Sequence, residues 1–303
     1  MKQFCLAFAF LFFQNSGTSS PAFSNPVLAK KQTDSSFTVS GLIQNSQTKE
    51  PIAYASIGLL QEAKGTISNA KGVFRFSLPT NQKSGIVRIS AIGYEARELA
   101  IEELLTTGSQ TLLLELVPTA VPLPEVQVKA KTWKTKELGG NAGPITFFHH
   151  NFGVFQRPIE ENLGRELGIF IHNRDKVSFI SKLNFCLTSN KYDQVTFRVK
   201  IYTLQEGKPA QNITPSNILH TVKNKQKGWI QVNLEPYNLY VDQDFAIALE
   251  WVDCAPRSQD NSLTIAASLP GFHTTFYKDA SQATWDKMSS IGMGMNVVVQ
   301  REK

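Results

Sequence analysis

Alternation of apolar and polar positions with a period of two runs through most of this chain. Phe74, Phe76 and Leu78 alternate with Val73, Arg75 and Ser77, and Val87 and Ile89 alternate with Arg88 and Ser90. Leu112, Leu114 and Leu116 alternate with Thr111, Leu113 and Glu115. Further on, Val195, Phe197, Val199 and Ile201 alternate with Thr196, Arg198 and Lys200. Ile230, Val232 and Leu234 alternate with Gln231 and Asn233, and Phe245, Ile247, Leu249 and Trp251 with Ala246, Ala248 and Glu250. Successive side chains of a strand point to opposite faces, so each run predicts a half-buried strand. No long amphipathic helix stands out, and the fold class expected is all-β.

Breakers divide the runs. Asn69-Ala70-Lys71-Gly72 predicts a hairpin turn whose glycine takes positive φ, and Gly93 predicts a bend before Tyr94. Residues 118–144 read as a linker: Pro118, Pro122 and Pro124 keep it extended and Gly139-Gly140 loosens its far end. Within it, Glu125–Val128 reads as a last edge strand. The domains expected are therefore 37–117 and 145–303. Pieces of about 80 and about 155 residues each bury roughly 60–70% of the surface their unfolded chains expose. About 8–10 strands in the larger piece fit a sandwich or jelly roll.

Val39–Ile43, Glu50–Ile57, Gly65–Phe76 and Ile89–Glu95 together resemble the carboxypeptidase-regulatory-like domain. That resemblance implies a small prealbumin-like Greek-key sandwich. In Bacteroidetes-type bacteria such a domain is often fused ahead of outer-membrane transporters or secreted proteins. Leu123–Ala130 resembles the segment that follows it in TonB-dependent transporters, but the roughly 160 residues left are too few for such a barrel. Phe197–Tyr202, Gly228–Leu234 and Phe245–Trp251 resemble the jelly-roll modules of secreted bacterial proteins.

The first residues read as an export signal, 1–29. Lys2 precedes an apolar run from Phe4 to Phe13, too short for a bilayer span of about 20 residues, with cleavage expected after Ser24 or Ala29. No later stretch resembles a transmembrane helix. The chain is thus expected to be exported: periplasmic, outer-membrane associated or extracellular. The formal charge of +6 raises nucleic acid as a partner, but Lys and Arg are scattered, with dense runs only at Lys129–Lys136 and Lys223–Lys227. These read as a solvated linker and loop, and no nucleic-acid partner is expected.

Catalytic chemistry finds no footing. The resemblance is to the accessory domain of metallocarboxypeptidases, whose zinc pair is spaced His-x-x-Glu. His172-Asn173-Arg174-Asp175 offers the wrong acid. His149-His150 are adjacent, so on a strand they face opposite ways and cannot easily share one ion. Asp242 and Asp244 offer two carboxylates where calcium takes about 6–8 oxygens, so a turn is expected there. Gly292-Met293-Gly294-Met295 reads as a bend before the apolar strand Asn296–Val299, and there is no nucleophile elbow or phosphate loop. No catalytic residue, metal or cofactor is assigned.

Cys186 and Cys254 remain once a leader carrying Cys5 is removed. In an oxidising compartment they pair if their strands are neighbours, a bridge contributing about 4 kcal/mol by chain entropy. Two separate buried thiols are the alternative. Among aromatics, Trp251 shares the apolar face of its strand and Trp229 the polar face, with Gln231 and Asn233. Trp285, Tyr237 and Tyr240 fall in or near loops. An exposed indole offers a platform for sugars, whereas any single one also serves as a sandwich cap, so a cluster would mark a site. The function expected is a non-enzymatic binding or interaction protein of the cell envelope, with a glycan or an envelope protein as partner. The alternative is a structural accessory docking on an outer-membrane complex through its first domain.

Overall fold

A computed structural model describes residues 36–82, 84–106, 111–120, 132–155, 157–257, 262–288 and 290–302. The expected leader with its two cleavage points lies outside the described residues, as does the expected edge strand Glu125–Val128. The described chain is nearly all β, with strands over 56% of its length and helix over 5%, as the alternation predicts.

The first sandwich holds β1 (Ser36–Asn45), β2 (Ser56–Leu59), β3 (Gly65–Ile67) and β4 (Val73–Pro79). It continues with β5 (Ile86–Ser90), β6 (Arg97–Ala100), the short helix α1 (Ile101–Thr106) and β7 (Leu112–Leu116). One sheet runs β4-β1-β7, with β1 and β7 parallel; the other runs β3-β2-β5-β6. Phe74, Phe76, Leu78, Val87, Ile89, Leu114 and Leu116 are all buried between them, the inward face read from the pattern. Gly72 takes φ +73° in the turn between β3 and β4, but these strands lie in different sheets, so the hairpin expected there is corrected to a crossover between the two layers; Gly93 bends the chain at φ +85°.

The second sandwich is larger. Its strands begin with β8 (Trp133–Gly139) and β9 (Phe148–Asn151), then, after the single-turn helix α2 (Ile159–Asn162), β10 (Glu166–Ile171). There follow β11 (Ser178–Asn190), β12 (Gln194–Gln205), β13 (Lys208–Asn212), β14 (Ile218–Lys223) and β15 (Gly228–Asn233). Then come β16 (Tyr240–Val241), β17 (Phe245–Ala255), β18 (Leu263–Ser268) and β19 (Thr275–Lys278). The last are β20 (Asp286–Met288), β21 (Gly292–Met293) and β22 (Met295–Glu302). One sheet is ordered β13-β12-β17-β10-β19-β20, with β14 also on β12. The other is ordered β21-β18-β11-β22-β8, with β15 and β16 on β11 and β9 on β18.

The linker reading is corrected at β8. Trp133–Gly139 pairs along its whole length with Asn296–Glu302. Its side chains, Lys134, Thr135, Lys136 and Glu137 among them, stay exposed, so an edge strand carries the polar composition of a linker. Of the bend expected over Gly292–Met295, only Gly294 lies outside a strand, since Gly292–Met293 form β21 and Met295 opens β22.

A second departure decides the architecture. β12 and β17 are buried on both faces: Arg198, Lys200, Ala246, Ala248 and Glu250 are as inaccessible as Phe197, Val199, Ile247 and Leu249. The first sandwich covers that outer face. Ile67 joins the core of the second sandwich, and Thr66 Oγ1 donates to the Glu160 carbonyl at 3.1 Å. The amide of Gln282 donates to Ser90 Oγ at 2.9 Å. Ser35–Lys303 accordingly forms one compact unit.

Candidate functional site

Four charged residues form a row across four adjacent strands of the covered sheet. Arg198 on β12 is paired in register with Glu250 on β17, Glu250 with Glu166 on β10, and Glu166 with Lys278 on β19. Two carboxylates side by side repel. Lys200, two residues along β12 from Arg198, resolves this by placing Nζ 2.9 Å from Glu166 Oε1 and 2.8 Å from Glu250 Oε2. Lys278 Nζ lies 2.8 Å from the same Glu166 oxygen, and the Tyr202 hydroxyl donates to Glu166 Oε2 at 2.6 Å.

Burial alone would raise the Glu166 carboxyl, but Lys200 and Lys278, with hydrogen bonds from Lys278 and Tyr202, hold it down at about 2. Burial pushes the Tyr202 phenol well above its usual range, helped by the Glu166 charge. The Lys278 ammonium is lowered, because burial and the like charge of Lys200 outweigh Glu166. Tyr54 carries the seam into the first sandwich: its carbonyl accepts a hydrogen bond from Arg198, and its hydroxyl donates to Asp253 Oδ2 at 3.4 Å.

A different surface lies at one end of the second sandwich. Ile145 is 100% exposed, Phe147 98% and Phe272 93%, with Phe148 and Leu269 about half exposed. The chain brings Ile145–Phe148 beside the end of β18: Thr146 Oγ1 donates to the Ala267 carbonyl at 2.7 Å, and Phe148 pairs with Ala267, two residues before Leu269. β9 beside them pairs, among the described residues, with β18 alone, so its other edge is open. His150 on β9 is neutral at ordinary pH, since burial and then Arg165 push its imidazole down to about 4.

Residues 39–128 match the family model of the CarboxypepD_reg-like domain. The first sandwich is a carboxypeptidase-regulatory-like domain. The match carries it past Val117, into the stretch read as linker. A search of curated proteins finds no match to the chain. The regulatory-like domain contributes the cover over the charged row.

The four aromatics singled out from sequence do not form a cluster. Trp229, 40% exposed on β15, stands opposite Cys186 of β11. Tyr240 pairs with Phe179 at the other end of β11, and Tyr237, in the short 3-10 turn before it, packs partly against the core. Trp285 is 9% exposed and belongs to the opposite sheet, beside β20. Its ring sits 5.3 Å from Tyr202, 6.4 Å from Phe276 and under the Lys278 ammonium at 4.8 Å. The sugar-platform reading of Trp285 is therefore corrected: the regulatory-like domain and the Ala280–Trp285 segment close over that face, and the indole becomes a wall of the charged seam.

The disulfide option is corrected as well. Cys186 lies on β11 and Cys254 on β17, strands of different sheets, and both thiols are free and buried. Burial raises both, Cys254 to about 12. Asp244 serves a turn, accepting from the Asn173 and Arg174 backbone N–H groups at 2.6 and 2.9 Å. Among the described residues no group of three or more His, Cys, Asp or Glu is arranged to hold a metal, and no helix is long and apolar enough to cross a membrane. The charged row and the apolar end were both missed in sequence. Ile145, Phe147 and Phe148 stood at a linker boundary, where three large apolar residues in four positions are the signal that was available.

Proposed function

We propose that this is an exported, non-enzymatic interaction protein of the cell envelope, and that its partner is another envelope protein docking on the apolar end. One observation carries the reading: Ile145, Phe147 and Phe272 expose nearly their whole side chains, and Phe148 and Leu269 about half of theirs, a cost a free surface gains nothing from. The open edge of β9 favours a partner that adds an extended segment, with main-chain hydrogen bonds for affinity and alternate apolar side chains seated against Phe147 and Phe148. The patch, Ile145–Phe148 with Leu269–Phe272, contains no Lys or Arg, which argues against an anionic lipid surface. A sugar platform has lost its cluster, since only Trp229 among the three candidate positions outside the core edge stands well exposed.

The test is a photo-cross-linking side chain placed at 147 or 272 in the full chain in its native cell, with one at exposed Leu113 of β7 as comparison. A discrete protein adduct from 147 and 272, lost on adding Ile145→Ser, supports the reading. An adduct from 113 alone would favour docking through the regulatory-like domain. Adducts from none of the three, or recovery of the chain from the cytoplasm, would overturn it.

A further inference from the structure

Between the two sandwiches lies a cavity of about 390 Å³, at the small end of ligand pockets. Its mouth is formed by exposed Ala96, Thr119 and Ala120, and its floor by Ser56, Arg198, Lys200 and Thr214, all buried. Arg88 and Ser90 reach in from the regulatory-like domain. Three cations thus line the cavity, and among the described residues no carboxylate does.

The charges behind the lining do not balance this. Arg198, Lys200 and Lys278 share two carboxylates, Glu166 and Glu250, leaving one positive charge uncompensated where water is largely excluded. Arg88, partly exposed at the rim, has Glu98 as its carboxylate partner at 3.9 Å. Hydrogen bonding is also incomplete. The buried Nε atoms of Arg88 and of Arg198, whose side chain is 3% exposed, have no partner. Unsatisfied buried donors on guanidinium groups cost stability unless an acceptor arrives.

We propose that this cavity binds a small organic oxyanion, a carboxylate or a phosphate, held by Arg88, Arg198 and Lys200. A planar guanidinium fork matches either group with paired N–H donors, and Lys200 adds a point charge. Ser56 and Ser90 supply hydroxyls beside them, while Ala91, Ile92 and Tyr94 line an apolar wall for the organic part. The site spans both sandwiches, so an anion there would tie them together. This inference is independent of the apolar end, whose residues lie outside the cavity.

The experiment is calorimetric titration of the full chain at constant ionic strength with citrate, succinate, inorganic phosphate and phosphoserine, and with glucose as a neutral control. Saturable binding by the carboxylates or by the phosphates, and none by glucose, is expected, and whichever series binds identifies the group. Arg88→Ala should weaken it about 10- to 100-fold. Ala120→Glu, which sets a carboxylate at the mouth without touching the floor, should weaken it too. Both positions are solvent-facing enough to leave the fold intact, which circular dichroism would verify. Absence of saturable binding by all four anions, or binding that both variants leave unchanged, overturns the proposal.

Discussion

Glu166 and Glu250 stand directly opposite each other on adjacent antiparallel strands, and a single ammonium, that of Lys200, lies within 2.9 Å of one and 2.8 Å of the other. Like charges so placed are unfavourable, and in a buried seam the penalty is not screened. The pair persists because Lys200 bridges it while Arg198 and Lys278 flank it.

Lys200→Met should therefore cost far more than a lost surface ion pair. A change of about 3–5 kcal/mol at neutral pH is expected, because removing one partner leaves buried charge unpaired. The loss should shrink as pH falls, because protonating a carboxylate of the pair relieves the repulsion. Urea unfolding at several pH values reads both, and a loss under about 1 kcal/mol at pH 7 would show that the bridge is not what holds the carboxylates together.

The native chain should also show an acid limb from the same row. Glu166 is held at about 2 against an ordinary 4.5. A carboxyl depressed in the folded state contributes stability that is complete above the unfolded value and is lost as pH falls through the folded one. Stability should thus decline between about pH 4.5 and 2, by a few kcal/mol from this group. In Glu166→Gln that limb should be flatter while stability at pH 7 is lower, since Lys200 and Lys278 lose their shared acceptor. An unchanged limb in the variant would assign the acid sensitivity to other carboxyls.

The two exposed-indole candidates should now separate. Trp285→Ala removes a ring packed on Tyr202, Phe276 and Lys278 and should cost about 3–5 kcal/mol. Trp229→Ala, at an edge strand facing solvent, should cost about 1 kcal/mol or less. Thermal unfolding of the pair distinguishes them; equal effects would contradict the packing of Trp285.

Cys186 and Cys254 should resist thiol reagents. With Cys5→Ser in place, the folded chain at pH 8 should leave both unmodified, because burial removes access and keeps the reactive thiolate scarce. Denaturation should expose two titratable thiols with no reductant added. A mass gain of two hydrogens on reduction would instead reveal a bridge.

Much of the fold was legible residue by residue. The inward faces Phe74-Phe76-Leu78 and Val195-Phe197-Val199-Ile201 follow from alternation, and the Gly72 and Gly93 bends follow from the freedom of glycine at positive φ. β8 was not legible, because an edge strand with Lys and Glu on both faces has the composition of a loop. Nor was the charged row. Arg198 and Lys200 occupy the polar alternate of β12 and read as solvated, and nothing local says that the first sandwich covers them.

The sequence by itself determined the class of structure and the regulatory-like domain, because strand periodicity, turn residues and family motifs are local properties that survive without knowledge of neighbours. Only the tertiary structure decided what each polar face meets. Glu166, Arg198, Glu250 and Lys278 come from four strands spread over more than a hundred residues, and they become one row through register across the sheet. Whether a charge is solvated, paired or poised for a ligand depends on what lies within a few ångströms of it. That is set by how the two sandwiches pack, and it is why the Trp285 platform became a wall and the outward face of β12 became the floor of a cavity.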